Sequence, residues 1–167
     1  KVCSERLEQR GNNMATRTKV DLKRRSKIVM EGADRAGARA MLRAVGLGDQ
    51  DLNRPFIGIA STASDITPCN VHLNKLTKKV KEGVRVAGGT PFEFGAPTVS
   101  DGISMGTEGM KASLVSREVI ADSIELVAIG EYFDGLVTIA GCDKNLPGAL
   151  HARVKRPRPA GNPAADP

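Results

Sequence analysis

The 167-residue chain is 40% hydrophobic and 26% charged, the balance of a globular domain of ordinary size with one core. Aromatic residues make up only 3% and Trp is absent, so large rings cannot dominate that core. The net charge of +6 comes from basic residues crowded at the two ends. The middle is free in Asp and Glu and lacks interleaved aromatics, which argues against nucleic-acid binding, and no apolar run approaches the roughly 18 residues that cross a bilayer.

Cys3, Cys69 and Cys142 are the three cysteines. An odd count at wide spacing, without a secretory apolar segment, argues against a disulfide framework and for a reducing, cytoplasmic setting, where thiols more often bind metal or act in catalysis.

Residues 1–25 are polar with little apolar period and read as a disordered basic arm. From Glu31 to Val45, Ala33, Gly37, Ala40, Met41 and Ala44 share one helical face, and Gly46 suits a C-terminal cap. Asp49 to Arg54 reads as a loop. Phe56 to Ala60 is a short apolar run between Pro55 and Ser61-Thr62, which predicts a buried parallel strand. Leu73, Leu76, Val80, Val84 and Ala87 then recur at steps of three and four. They predict a helix from about Asn70 to Ala87, ended by Gly88-Gly89.

Phe92 to Phe94 and Thr98-Val99 predict a second strand broken by Gly95 and Pro97. A Gly-rich loop follows from Ser100 to Gly109. Ser116 suits the cap of a helix whose buried face holds Val119, Ile120, Ser123, Ile124 and Val127, ended by Gly130. Gly135 to Ala140 predicts a third strand, and Pro147 fits the first turn of a helix beyond it. Alternating elements of this kind imply an α/β fold, a parallel sheet flanked by helices, over residues 26–152. After Ala152, Pro157, Pro159, Pro163 and Pro167 forbid a regular helix, so residues 153–167 read as a disordered Arg/Pro-rich tail, and the strand expected after the last helix is missing.

Ligands in open α/β sheets bind beyond the C-terminal ends of the strands. Three loops there carry reactive groups: Thr67-Pro68-Cys69-Asn70, Asp101 among glycines, and Cys142-Asp143-Lys144. Two thiolates suit iron or zinc, and two carboxylates suit a hard cation such as Mg²⁺. No C-x-x-C pair exists, which disfavours a zinc finger, and two cysteines fall short of the usual cluster ligand count. Taken alone, each residue also has an ordinary reading. Asp101 could form a turn beside Gly102, and Lys144 could lie in solvent or pair with Asp143. Lys144 could equally be an amine activated by a lowered pKa, or a carbamate that binds metal. His72 reads as a helix-surface residue.

Taken together, Ile66-Thr67-Pro68-Cys69-Asn70-Val71-His72-Leu73, Ser100-Asp101-Gly102-Ile103-Ser104-Met105-Gly106, the run Ser113 to Ser123, and Gly141-Cys142-Asp143-Lys144-Asn145-Leu146-Pro147-Gly148 resemble the iron–sulfur dihydroxy-acid dehydratases and the related sugar-acid dehydratases. The match runs from about Arg25 to Leu150 and is closest to the dihydroxy-acid dehydratases of branched-chain amino-acid synthesis. The resemblance implies that Cys69 and Cys142 are two of three cysteine ligands of an iron–sulfur cluster, 2Fe-2S rather than 4Fe-4S. It implies that Asp101 and Asp143 bind Mg²⁺ and that Lys144, carbamylated, completes that shell. The implied reaction is dehydration of a small 2,3-dihydroxy acid to a 2-keto acid, in an enzyme that is a homodimer at full length. The third cysteine, a later glutamate ligand, the serine base and a C-terminal β-barrel of the family have no counterpart here. The chain is therefore expected to be a truncated or frameshifted N-terminal portion, inactive alone. The competing expectations are a sugar-acid dehydratase and a non-catalytic binding module with basic ends.

Overall fold

The computed structural model describes residues 21–154. The expected arm up to residue 20, with Cys3, and the expected tail beyond residue 154 lie outside the described residues; residues 153–154, expected to begin that tail, continue the last helix. Three strands form one parallel sheet in the order β2-β1-β3: β1 Phe56–Ser61, β2 Thr90–Gly95 and β3 Gly135–Ile139. This is the α/β architecture expected from the alternation of elements.

The register fixes where the loops begin. Ser61 pairs with Gly95 on one side and with Ile139 on the other, so all three strands end level. Two further bonds extend this edge, from Thr62 N–H to the Ile139 carbonyl at 3.0 Å and from Ala96 N–H to the Ser61 carbonyl at 2.9 Å. Neighbouring strands lie about 5 Å apart, so the loops that leave them start side by side.

Helices cover both faces. Before the sheet come α1 Lys27–Met30, a 3₁₀ turn Ala33–Arg35, α2 Ala36–Ala44 and α3 Asp49–Leu52. After β1 runs α4 Leu73–Val86; after β2 come α5 Asp101–Ser104 and α6 Gly109–Gly130; after β3 comes α7 Asn145–Val154. Strand side chains alternate between faces. Thr77 of α4 bonds Ser61 at 3.2 Å on one face. On the other, Ile120, Ala121 and Ile124 of α6 and Ala149 and Ala152 of α7 pack with Ala60 and Ala96. Gly148 lets α7 approach α6 closely, since a Cβ there would stand 2.9 Å from the Arg117 carbonyl oxygen.

The four phenylalanines, few as they are, gather in one place. Phe56 meets Phe92 edge-on at 4.9 Å, and Phe133 stacks on Phe92 and Phe94 at 5.6 and 6.0 Å. With Met30, Leu52 and Ala128 they make a second core toward the start of the strands. Aromatic mass is thus concentrated while the core beneath α7 is built from Ala and Ile.

Several local expectations are corrected. Between Glu31 and Val45 helical structure begins at Ala33 and not at Glu31, because Gly32 takes φ +99°, and its first turn, Ala33–Arg35, is 3₁₀ and runs directly into α2. Gly46, at φ +92°, ends α2 as expected. Asp49 to Arg54 is not all loop: α3 forms there, its start held by the bond from Gly48 N–H to Asp51 Oδ2 at 3.1 Å. Ser116 does not cap α6, which begins seven residues earlier, at Gly109; its hydroxyl bonds the Ser113 carbonyl at 2.7 Å inside the helix. Leu76 and Ala87 face solvent, as does Val119 of α6, expected on its buried face, and Thr77 takes the buried place on α4. Thr98-Val99 lies outside any strand, and residues 101–104 of the Gly-rich loop form α5. Residues 23–25, expected to end the arm, are tied to the domain: Lys23 Nζ bonds the Leu52 and Arg54 carbonyls, and the Arg24 and Arg25 N–H groups bond Asp134 Oδ1.

Candidate active site

The level strand ends bring the three chemistry-bearing loops to one rim. Lys144, just before α7, donates to Asp101 Oδ2 at 3.1 Å and to Asp143 Oδ2. Asp101 stands at the first position of α5, reached from β2, so its meeting with Lys144 spans 43 residues of sequence. The Asp101 and Lys144 side chains are 14% and 20% exposed, whereas Asp143 is 65% exposed and looks outward. Two carboxylates therefore converge on the Lys144 ammonium, one largely covered and the other open to solvent.

The electrostatics follow from that contact. The Ser113 hydroxyl donates to Asp101 Oδ1 and holds its carboxyl below the usual range; partial burial opposes this, and the Lys144 ammonium adds to it. Asp143, then Asp101, raise the Lys144 amine above its ordinary value by bonding its charged form. Between two carboxylates the charged form of Lys144 is favoured, the opposite direction from an amine activated by a lowered pKa.

The thiol loops touch at their backbones. A Cβ on Gly141 would stand 2.6 Å from the Cys69 carbonyl oxygen and 3.3 Å from Asn70 Oδ1. Only glycine permits that approach. Cys142 takes φ +72°, an uncommon conformation for a residue with a side chain, of the kind that collects at functional sites. Neither thiol is in a disulfide; Cys69 is exposed and Cys142 half-buried. His72 is exposed at the start of α4, in keeping with its reading as a surface residue.

Beneath the rim lies a polar layer that sequence reasoning missed. Asn70 and Asn145 are fully buried. Asn70 Nδ2 donates to the Thr62 carbonyl at 2.6 Å, to Thr62 Oγ1 at 2.8 Å and to Thr98 Oγ1 at 3.5 Å, and Asn145 Nδ2 donates to the same Thr98 oxygen. Ser113 was likewise missed as a partner of Asp101. The available signal was adjacency, since Asn70 follows Cys69 and Asn145 follows Lys144.

The donor set fits a divalent cation. The Lys144 ammonium lies between two converging carboxylates and offsets one of their two charges; oxygen donors of this kind suit a hard cation. Among the described residues no group of three or more His, Cys, Asp or Glu is placed to hold a metal ion. The thiols fit a cluster as two ligands of a larger set.

The family described as dihydroxy-acid/6-phosphogluconate dehydratase N-terminal matches residues 54–160. The chain is 59% identical over 140 residues to a dihydroxy-acid dehydratase of Natronomonas pharaonis, covering 84% of this chain and 24% of the relative. It is 61% identical over 129 residues to one of Koribacter versatilis, covering 77% and 22%, and 60% identical over 135 residues to one of Mycobacterium avium, covering 81% and 24%. The chain thus spans about a quarter of the length of the curated relatives it matches.

Proposed function

Because the chain belongs to the dihydroxy-acid/6-phosphogluconate dehydratase N-terminal family, we propose that it supplies the cation rim of an enzyme that removes water from 2,3-dihydroxy acids. In that reaction the C3–O bond breaks, the proton on C2 leaves, and the enol so formed becomes a 2-keto acid. The setting is cytoplasmic branched-chain amino-acid synthesis, and the complete enzyme is a homodimer. Among the described residues no helix is long and apolar enough to cross a membrane.

The observation that carries this reading is the meeting of Asp101, Asp143 and Lys144 beside the Cys69–Gly141 contact. Asp101, Asp143 and a carbamylated Lys144 would hold Mg²⁺, and Cys69 and Cys142 would hold part of a 2Fe-2S cluster. When bound, these groups supply Lewis acidity toward the departing hydroxyl and charge stabilisation at the carboxylate and 2-hydroxyl of the substrate. This chain's own residues do the preparing. Ser113 orients Asp101, and Asp101 holds the Lys144 ammonium at the rim before a cation binds. The backbone-to-backbone seat of Gly141 fixes Cys142 against the loop of Cys69.

The test is a chimaera of residues 21–150 joined to the C-terminal three quarters of the Koribacter relative. We expect turnover of 2,3-dihydroxyisovalerate, none by the 167-residue chain alone, and loss of turnover in Lys144→Arg. A chimaera that is active with Lys144→Arg would overturn the assignment of that residue. The family description also covers a sugar-acid dehydratase, so 6-phosphogluconate is assayed alongside; preference for it would select that alternative.

A further inference from the structure

We infer that Thr98 is a positioning residue whose single hydroxyl holds the thiol loop and the cation loop in register. The inference rests on the reading of the rim given above. Thr98 follows β2 and lies three residues before Asp101. Its Oγ1 accepts a bond from Asn145, the neighbour of Lys144, and a longer one from Asn70, the neighbour of Cys69. One oxygen therefore joins segments that leave all three strands.

The two amides depend on that oxygen unequally. Asn70 has a second anchor in Thr62, through the carbonyl and hydroxyl together. The Asn145 amide bonds Thr98 through Nδ2, and its buried Oδ1, like that of Asn70, has no hydrogen-bond partner among the described residues. Asn145 is thus oriented from its nitrogen end, by Thr98. A buried amide that loses its acceptor swings or shifts to find another, because an unpaired buried donor is costly. Asn145 is the first residue of α7 and is bonded in sequence to Lys144, so its shift moves the lysine relative to Asp101 and moves Cys142 relative to Cys69.

The effect is read in two ways, neither of them turnover. Mn²⁺, followed by the loss of its free-ion magnetic resonance signal, probes Asp101, Asp143 and Lys144. Phenylarsine oxide, which bridges two thiols that can reach one arsenic, probes how readily Cys69 and Cys142 come together in a Cys3→Ser background. In Thr98→Val both affinities should fall about tenfold, the usual scale for groups that orient metal ligands. Thr98→Ser, which restores the hydroxyl, should stay within about twofold of the unaltered chain. Circular dichroism and urea unfolding establish that each variant is folded under the binding conditions; a merely structural role would lower the urea midpoint and leave the affinities of the folded chain unmoved. Should Thr98→Val fail to fold, Thr98→Ala removes the hydroxyl without setting a methyl against Asn145. Unchanged affinity for both probes in a folded variant overturns the inference. If Asp101→Asn leaves Mn²⁺ affinity unchanged, the cation site itself is wrong, and the thiol readout then decides the role of Thr98.

Discussion

Gly141 lies against the backbone carbonyl of Cys69, so close that a Cβ on it would stand 2.6 Å from the oxygen. The obstacle is main chain, which cannot rotate aside as a side chain could. Gly141→Ala should therefore push the Cys142 loop away from the Cys69 loop while the sheet stays intact. In the chimaera with the relative's C-terminal part, visible absorbance after cluster reconstitution should fall about tenfold or more, the scale at which metal-site supports act. Full cluster loading would show that the two loops do not need this seat.

Asp134 ties the entering chain to the start of the sheet. It accepts bonds from the N–H groups of Arg24, Arg25, Ser26 and Phe56 and from the Ser26 hydroxyl at 2.6 Å. Burial pushes its carboxyl up, but the bonds from Ser26, Phe56 and Arg25 prevail and hold it below the usual range. A depressed folded value means stability that is present above the unfolded pKa and lost as pH falls through the folded one. Asp134→Asn should lower stability at neutral pH by about 1–2 kcal/mol, discounted for partial exposure. It should also flatten the decline of the urea midpoint below about pH 4. Equal pH slopes for both proteins would contradict the assignment.

Gly58 sits beneath the Phe133 ring, and a Cβ there would stand 2.4 Å from a ring carbon. Phe133 is wedged by Phe92 and Phe94, so it has little room to yield. Gly58→Ala should cost about 1–3 kcal/mol in urea unfolding. Adding Phe133→Leu should recover part of that loss, because the smaller side chain frees the space. If the double variant is less stable than the sum of the two single changes, the contact is not the cause.

Lys144 is held as ammonium by Asp143 and Asp101, and an ammonium cannot take up carbon dioxide. A divalent cation drawn to the two carboxylates would repel that charge and release the amine. With ¹³C-bicarbonate, a carbamate carbon resonance should accordingly appear only when Mg²⁺ is added, should strengthen as pH rises, and should be absent in Asp101→Asn. A resonance of equal strength without Mg²⁺ would refute this order of events.

The outer face of α6 exposes Val115 (62%), Val119 (49%) and Leu126 (74%), and α7 exposes Leu146 and Leu150. Apolar surface of this extent seeks a cover. The 167-residue chain should self-associate at micromolar concentration in light scattering, and Leu126→Glu should reduce that association. A monodisperse monomer would show that this face is tolerated in water.

Much of the scaffold was written in local pattern. The apolar runs at Phe56 and Gly135, the glycine stops at Gly46 and Gly88, and the alternation of strand with helix gave the parallel α/β class, because backbone preference and side-chain period act over a few residues. The same locality explains the misses. Ser116 has the chemistry of a cap, but the helix already runs through it from Gly109, whose N–H donates to Thr107 Oγ1, and the Ser116 hydroxyl bonds the Ser113 carbonyl instead. Gly32, at φ +99°, delays to Ala33 a helix that periodicity alone begins at Glu31.

The sequence by itself determined which groups are available: two thiols, two carboxylates and a lysine, each placed just beyond a strand or at the start of a helix. The tertiary structure decided which of them meet. Asp101 reaches Lys144 across 43 residues, and Thr98 reaches both Asn70 and Asn145, because Ser61, Gly95 and Ile139 end in one register. Register is a property of strand pairing, set by bonds between distant segments, and no window along one chain segment contains it.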